Sequence, residues 1–73
     1  MSDNEILLKL ATKIIYERKR KNLSQEEVAS LANINMRSLS LIENGQTNAR
    51  FLTLYRIANA LNIDISELVN FRL

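Results

Sequence analysis

Apolar side chains recur along the chain every three or four residues, the spacing that places them on one face of an α-helix. The pattern predicts five helices, over about 4–21, 25–32, 36–44, 50–61 and 65–70, and no strand. The connections are short, as a compact bundle requires. The inner faces of the first four helices are predicted to carry Leu7, Leu10, Ala11, Ile14, Ile15, Val28, Ala29, Leu31, Leu39, Ile42, Phe51, Leu54, Ile57, Ala58 and Leu61.

Several helix starts are marked by capping boxes, in which a cap residue and a glutamate three positions later satisfy each other's backbone amides. The pairs are Ser2 with Glu5, Ser24 with Glu27, and Asp64 with Glu67. Asn35 is a suitable N-cap for the third helix. These signals predict where the first, second, third and fifth helices begin.

Three asparagines, Asn22, Asn33 and Asn62, each follow a helical run and precede an apolar residue. The residue after a helix often has a left-handed backbone, which glycine accepts best and asparagine next best. We interpret the three asparagines as left-handed C-caps, and Gly45 as the cap after the third helix. The alternative is that the asparagines are ordinary loop residues.

The composition limits the possible functions. The 73 residues are expected to form one domain, 1–73, and 47% of them are apolar, enough for one core. A net charge of +2 permits nucleic-acid binding without requiring it. No apolar run approaches the length of a membrane span and the N-terminus is acidic, so we expect a cytoplasmic protein without membrane association.

Enzyme chemistry is not expected. The chain has no histidine and no cysteine, so a general base or a metal site would need carboxylates, lysine or tyrosine alone. The single glycine excludes phosphate-binding loops of the type G-x-x-x-x-G-K-S/T. We therefore expect no catalytic residue, no cofactor, no metal and no small-molecule ligand.

The second and third helices are separated by only about three residues, 33–35, so they must cross steeply. The small side chain of Ala29 suits the close approach, and Ile34 fills the corner beneath the turn. With Leu39 and Ile42 inward, the outer face of the third helix is left with Met36, Arg37, Ser40 and Leu41. A helix presented in this way is shaped to enter the major groove of DNA.

The run L-S-Q-E-E-V-A at 23–29, followed by I-E-N-G at 42–45, resembles the helix-turn-helix of the lambda-repressor-like, Cro-type family. The run 53–63 is similar to that family's fourth helix, and the resemblance covers about residues 7–70. It implies an all-α, five-helix DNA-binding domain. The chain departs from the family where asparagine replaces glycine at the three caps, at Ala49, where many members have proline, and at Leu41, where a polar base-reading residue is common.

The resemblance implies roles for individual side chains. Gln25 would bind a phosphate and brace the third helix, and a helix N-terminus independently favours anions. Arg37 would read a base edge, for which guanine is the best partner, while Met36 and Leu41 would contact thymine methyl groups. Ser40 would bind a base or a phosphate. The alternative for each is a solvated or locally packed surface side chain.

The polar loop after the third helix would contact the DNA backbone and set the register without reading sequence. Its residues are Asn44, Gln46, Thr47, Asn48 and Arg50. By the same resemblance, Arg18 and Glu43 are expected to form a structural ion pair. The rest of the basic run at 17–21 is interpreted as a solvated helix end.

The C-terminal segment is predicted to form the interface of a homodimer. With Leu68 and Ile63 in the core, it retains more apolar side chains than a solvated chain end needs. The predicted interface consists of Leu52, Ile65, Val69, Phe71 and Leu73. The alternative is that Phe71 and Leu73 fold back on their own core.

Two classes of function follow. The first is a homodimeric, sequence-specific regulator of transcription on double-stranded DNA with a pseudo-palindromic operator, such as a phage Cro-like repressor or a restriction–modification controller protein. The second is a protein-interaction module of the same fold, such as an antitoxin or an anti-repressor partner. Arg37 and the polar loop favour the first class. Repression or activation, and the biological system, stay open.

Overall fold

A computed structural model describes residues 1–71, and over that range the regular elements are five α-helices without a strand. They are α1 (Asp3–Arg20), α2 (Gln25–Ala32), α3 (Met36–Glu43), α4 (Phe51–Ala60) and α5 (Ile65–Val69). Each helix begins and ends within one residue of the bounds predicted from the sequence. The predicted all-α, five-helix fold is confirmed.

The helix starts have the predicted caps. Ser2 and Ser24 accept hydrogen bonds from the amides three residues later, and the glutamates there accept the cap amides in return. The backbone N–H of Asp64 donates to the Glu67 carboxylate at 3.2 Å. Asn35 Oδ1 accepts the Ser38 amide at 2.7 Å and caps α3. These bonds satisfy amides that have no partner within the helix.

The three asparagine caps are left-handed, as predicted. The φ angles of Asn22, Asn33 and Asn62 are 60°, 57° and 57°, and that of Gly45 is 68°. In each case the next amide bonds to a carbonyl five residues earlier, as Ile34 does to Ala29 at 3.0 Å. This is the Schellman arrangement, which a positive φ makes possible. The interpretation as ordinary loop residues is therefore wrong.

The core draws side chains from every helix, because each amphipathic helix is stable only with its apolar face covered. Its most completely buried members are Ile14, Val28, Leu39, Ile57, Leu61 and Leu68. α2 packs on α4, and α1 packs on α3. The short helices α2 and α3 are thus held against the longer α1 and α4, which support the helix-turn-helix from behind.

Two residues assigned to the core by periodicity are exposed. Leu31 is 63% exposed because the inward arc of α2 is centred on Val28, Ala29 and Ala32, and Leu31 lies about 110° around the helix from that centre. Phe51 is 62% exposed because it is the first residue of α4 and precedes the turn that packs on the core.

Candidate nucleic-acid interface

The turn between α2 and α3 has the tight geometry expected of a helix-turn-helix. The left-handed Asn33 reverses the chain directly after α2, and Asn35 already caps α3. Ala29 is 3% exposed in the core, and Ile34 packs beneath the turn. Because Leu39 is fully buried, the side of α3 that it occupies is fixed against the body of the protein. The opposite side of α3 faces outward.

The outer side of α3 borders a shallow groove. Met36 and Arg37 are exposed, whereas Ser40 and Leu41 are half-buried on its floor. The residues that line the groove are Gln25, Met36, Arg37, Ser40, Leu41, Asn44 and Gln46. The structure thus brings together the four candidate base-contacting residues and three of the six candidate phosphate-contacting residues.

The other three candidate phosphate-contacting residues line a neighbouring depression between α3 and the start of α4. These are Thr47, Asn48 and Arg50, and Leu41 borders both depressions. Ser38 and Thr53 also line it, and neither was proposed from the sequence. The spacing could have indicated Thr53, since it lies one helical turn after Arg50. Polar side chains in both depressions therefore form a polar rim along the outer side of α3.

The N-terminus of α2 lies at the edge of the groove. Gln25 is the first residue of that helix, so backbone amides without helical partners lie beside it. Its side chain is half-buried, and Nε2 donates to Glu43 Oε1 at 2.9 Å. Because Glu43 is the last residue of α3, this bond joins the start of one helix to the end of the other. Gln25 braces α3 in this structure.

Arg18 and Glu43 form a two-point ion pair beneath the groove. Nε of Arg18 donates to Oε2 of Glu43 at 2.8 Å, and Nη2 donates to Oε1 at 2.9 Å. The side chains are 12% and 2% exposed. Nη1 of Arg18 donates to the Leu23 carbonyl at 3.0 Å. The pair thereby links the end of α1, the loop before α2 and the end of α3.

Two other cations of the basic run at the end of α1, Lys19 and Arg20, have surroundings different from those of Arg18. Arg20 pairs with Glu17 at 2.7 Å and lies over the Tyr16 ring, 5.9 Å from its centre. The Glu17 carboxylate raises the pKa of the Arg20 guanidinium by hydrogen bonding and by charge. Lys19 is exposed. The side chains of this run therefore have separate local environments, and Arg18 is the one that reaches α3.

The family model named Helix-turn-helix (HTH_3) matches residues 14–68, which include every helix of the structure in whole or in part. The chain belongs to this helix-turn-helix family. Members are DNA-binding regulators of transcription, and the predicted resemblance to lambda-repressor-like regulators is confirmed.

Individual family members match along much of the chain. The uncharacterized HTH-type transcriptional regulator y4dJ of Sinorhizobium fredii is 40% identical over 52 residues, covering 71% of this chain and 68% of the relative. The crystal structure of the restriction–modification controller protein C.AhdI from Aeromonas hydrophila matches with a TM-score of 0.83 at 32% identity, covering 85% of this chain and 94% of the controller. An HTH_3 family regulator from Vibrio cholerae matches with a TM-score of 0.88 at 26% identity, covering 94% of this chain and 39% of that one.

The predicted dimer-interface residues of this family member differ in exposure. Leu52 is 66% exposed and Val69 is 39% exposed. Ile65 and Phe71 are half-buried and pack against the core of their own chain, so only part of each side chain is accessible to a partner. The short α5, which carries Ile65, packs on α1 and α4, and Phe71 lies beside Leu8, Lys9 and Thr12 of α1. Leu73 lies outside the described residues.

The structure adds two apolar side chains to this region. Phe51 and Tyr55, 62% and 46% exposed, lie on α4 beside Leu52. Tyr55 follows Leu52 by three positions and therefore shares its side of the helix. We call Phe51, Leu52 and Tyr55 the α4 apolar face. This face was not predicted from the sequence, because the periodicity assigned Phe51 to the core.

Neither a membrane span nor a metal-binding group is present within residues 1–71. No helix there is both long and apolar enough to cross a membrane. The aspartates and glutamates of the same range are not grouped in threes at metal-binding distance.

Proposed function

We propose that the protein regulates transcription by binding double-stranded DNA as a homodimer, with α3 in the major groove of a pseudo-palindromic operator. The observation that carries this proposal is the groove of the helix-turn-helix. It joins the outer side of α3, the N-terminus of α2 and a polar rim. A major groove admits an α-helix, and such a rim suits the phosphates on either side.

Sequence reading is assigned to the four side chains on the outer side of α3. Arg37 is exposed and presents two parallel donors that suit the O6 and N7 atoms of guanine. Met36 and Leu41 offer apolar surface to thymine methyl groups, and Ser40 offers a hydroxyl to a base or a phosphate. This combination favours an operator half-site containing both guanine and thymine.

Positioning on the duplex is assigned to the residues around α3. Gln25 and the free amides of α2 face one phosphate strand, because a helix N-terminus attracts anions. The loop residues face the other strand, and these are Asn44, Gln46, Thr47, Asn48 and Arg50. Contacts of this kind carry no sequence information, but they hold α3 in register.

Dimerisation is assigned to the α4 apolar face together with Val69. Four exposed apolar side chains on adjacent helices exceed what a solvated surface needs, and a second copy of the chain would cover them. A twofold axis through this surface would place two copies of α3 about 34 Å apart, one turn of DNA. The match to a restriction–modification controller over 94% of its length supports a controller-type regulator.

The test is to select a duplex from a random-sequence pool with the wild-type protein and to measure its affinity by fluorescence anisotropy. Arg37→Ala should weaken binding by about 10- to 100-fold per half-site and relax base preference at one position. Lys19→Ala is the matched control, because it removes the same charge from an exposed side chain outside the groove. Unchanged base preference in Arg37→Ala would contradict the reading role. Failure of the wild type to select any duplex would contradict the function itself.

A further inference from the structure

The Glu43 carboxylate has one hydrogen bond more than its ion pair requires. Arg18 already meets both carboxylate oxygens, so the two charges are paired without further help. Oε1 of Glu43 then accepts a second bond, from Nε2 of Gln25 at 2.9 Å. Glu43 is buried, at 4% exposure, whereas Gln25 lines the groove. The extra bond therefore connects a buried charge to the surface that is proposed to meet DNA.

An ionised carboxylate accepts hydrogen bonds and donates none. It therefore determines the direction of the Gln25 amide, since only the NH₂ end of that amide can bond to Glu43. One of the two N–H groups on Nε2 is used in this bond, and the second stays available to another acceptor. Without a partner of this kind, the amide is free to turn its oxygen toward the groove, where a phosphate would be repelled.

We propose that Glu43 is a positioning residue for DNA binding: through Oε1 it turns the Gln25 amide so that the second N–H of Nε2 meets a phosphate oxygen of the duplex. This inference rests on the proposed DNA-binding function. It gives Glu43 a role beyond the ion pair with Arg18, and that role acts through Gln25.

Charge alone predicts the opposite effect on binding. Glu43 brings a negative charge toward the phosphates, and neutralising it would leave the positive charge of Arg18 uncompensated. If charge were the main effect, Glu43→Gln would bind DNA more tightly. If Glu43 positions Gln25, the same substitution weakens binding, because an amide at position 43 can either accept or donate and no longer determines the direction of Gln25.

The experiment is a double-variant cycle on the selected duplex, using the whole chain and a temperature at which circular dichroism shows each variant folded. We expect Glu43→Gln to lower affinity about tenfold in the wild-type background and less than about twofold in a Gln25→Ala background. Gln46→Ala is the matched control background. Gln46 lines the same groove without a bond to Glu43, so the tenfold loss should persist there.

Each outcome of the cycle either supports or overturns the positioning role of Glu43. Equal losses in the wild-type and Gln25→Ala backgrounds would show a purely structural role for Glu43 and overturn the inference, as would tighter binding of Glu43→Gln. In both cases the proposed function would stand. If the wild type selects no duplex at all, the proposed function fails and the inference fails with it.

A second measurement applies if Glu43→Gln does not fold. Gln25 and Gln46 are the two glutamines of the chain, so their side-chain amides are readily assigned by NMR. In the free wild-type protein, the Gln25 amide should exchange with solvent more slowly than the Gln46 amide. On titration with the duplex, its second proton should shift downfield as the phosphate bond forms. Gln25 exchange as fast as that of Gln46, or no shift in the complex, would overturn the inference.

Discussion

The helix-turn-helix region and the α4–α5 region differ in the kinds of side chain that they bury and expose. In the first, the buried Glu43 and the mostly buried Arg18 are paired with each other within one chain. Among the described residues, every buried side-chain polar atom has a hydrogen-bond partner. In the second, the apolar side chains Phe51 and Leu52 are more than half exposed.

The difference indicates what each region needs from a partner. Buried charges must be satisfied inside the chain, because an unpaired one costs several kcal/mol. The polar side chains buried in the helix-turn-helix are therefore satisfied within one chain. An apolar face costs far less to leave in water, and it is covered when a suitable partner arrives. We infer that the first region is built to present side chains and the second to associate.

Removing Glu43 should have the largest effect on stability. Glu43→Ala leaves the mostly buried charge of Arg18 without a partner, and we expect the free energy of unfolding to fall by about 3 kcal/mol. Urea unfolding followed by circular dichroism measures it. Glu26→Ala removes an exposed glutamate of α2 as the control and should change stability by less than about 0.5 kcal/mol. Equal effects in the two variants would contradict the contrast between the regions.

Charging the α4 apolar face should chiefly change association. Leu52→Asp should leave the monomer folded, because Leu52 is 66% exposed, and should raise the dimer dissociation constant about 100-fold or more. Sedimentation velocity at micromolar concentration measures this. Leu31→Asp is the matched control, since Leu31 is 63% exposed on α2. A monomeric wild type would remove the dimer from the proposal, and a dimeric Leu52→Asp would move the interface elsewhere.

The two regions should respond alike to substitution of the left-handed asparagine that each has at the end of a helix. Asn33 ends α2 and Asn62 ends α4, both with φ 57°. Replacing either by alanine should cost about 1 kcal/mol, because a Cβ without a local hydrogen bond disfavours the left-handed region. Glycine at either position should be tolerated. Thermal unfolding of the four single variants is the measurement, and an alanine variant as stable as wild type would argue against a left-handed cap in solution.

The smallest effects on stability should come from the capping boxes, and these effects should depend on pH. Hydrogen bonds from Ser24 lower the pKa of Glu27, and those from Ser66 lower the pKa of Asp64. Such a carboxylate stabilises the fold above its unfolded pKa, and that contribution is lost as pH falls through the folded pKa. Glu27→Gln keeps an acceptor for the Ser24 amide but removes the charge, so it should destabilise the fold slightly at neutral pH, and by less as the pH falls. A cost that is constant with pH would show that the carboxylate of Glu27 contributes nothing.

The fold and most of the candidate site could be predicted from the sequence, whereas the outer surfaces of α2 and α4 could not. Periodicity correctly placed Leu39 and Leu61 inside but also assigned Leu31 and Phe51 to the core. Short helices have few turns, so the centre of the inward arc depends on the neighbouring helix as well as on spacing. For Phe71, which lies outside the helices, the sequence left both an interface and packing on its own core open, and the structure shows partial packing on its own chain.

What the sequence determined by itself is local. A cap needs one side chain and one amide three residues away, and a left-handed end needs a residue that tolerates positive φ, so Ser24 and Asn33 could be interpreted without knowledge of any neighbour. The tertiary structure alone decided that Oε1 of Glu43 meets Gln25 as well as Arg18, and that Phe51 and Tyr55 share an exposed face. Such contacts join residues far apart in the chain, and they arise only when helix packing sets the distances between them.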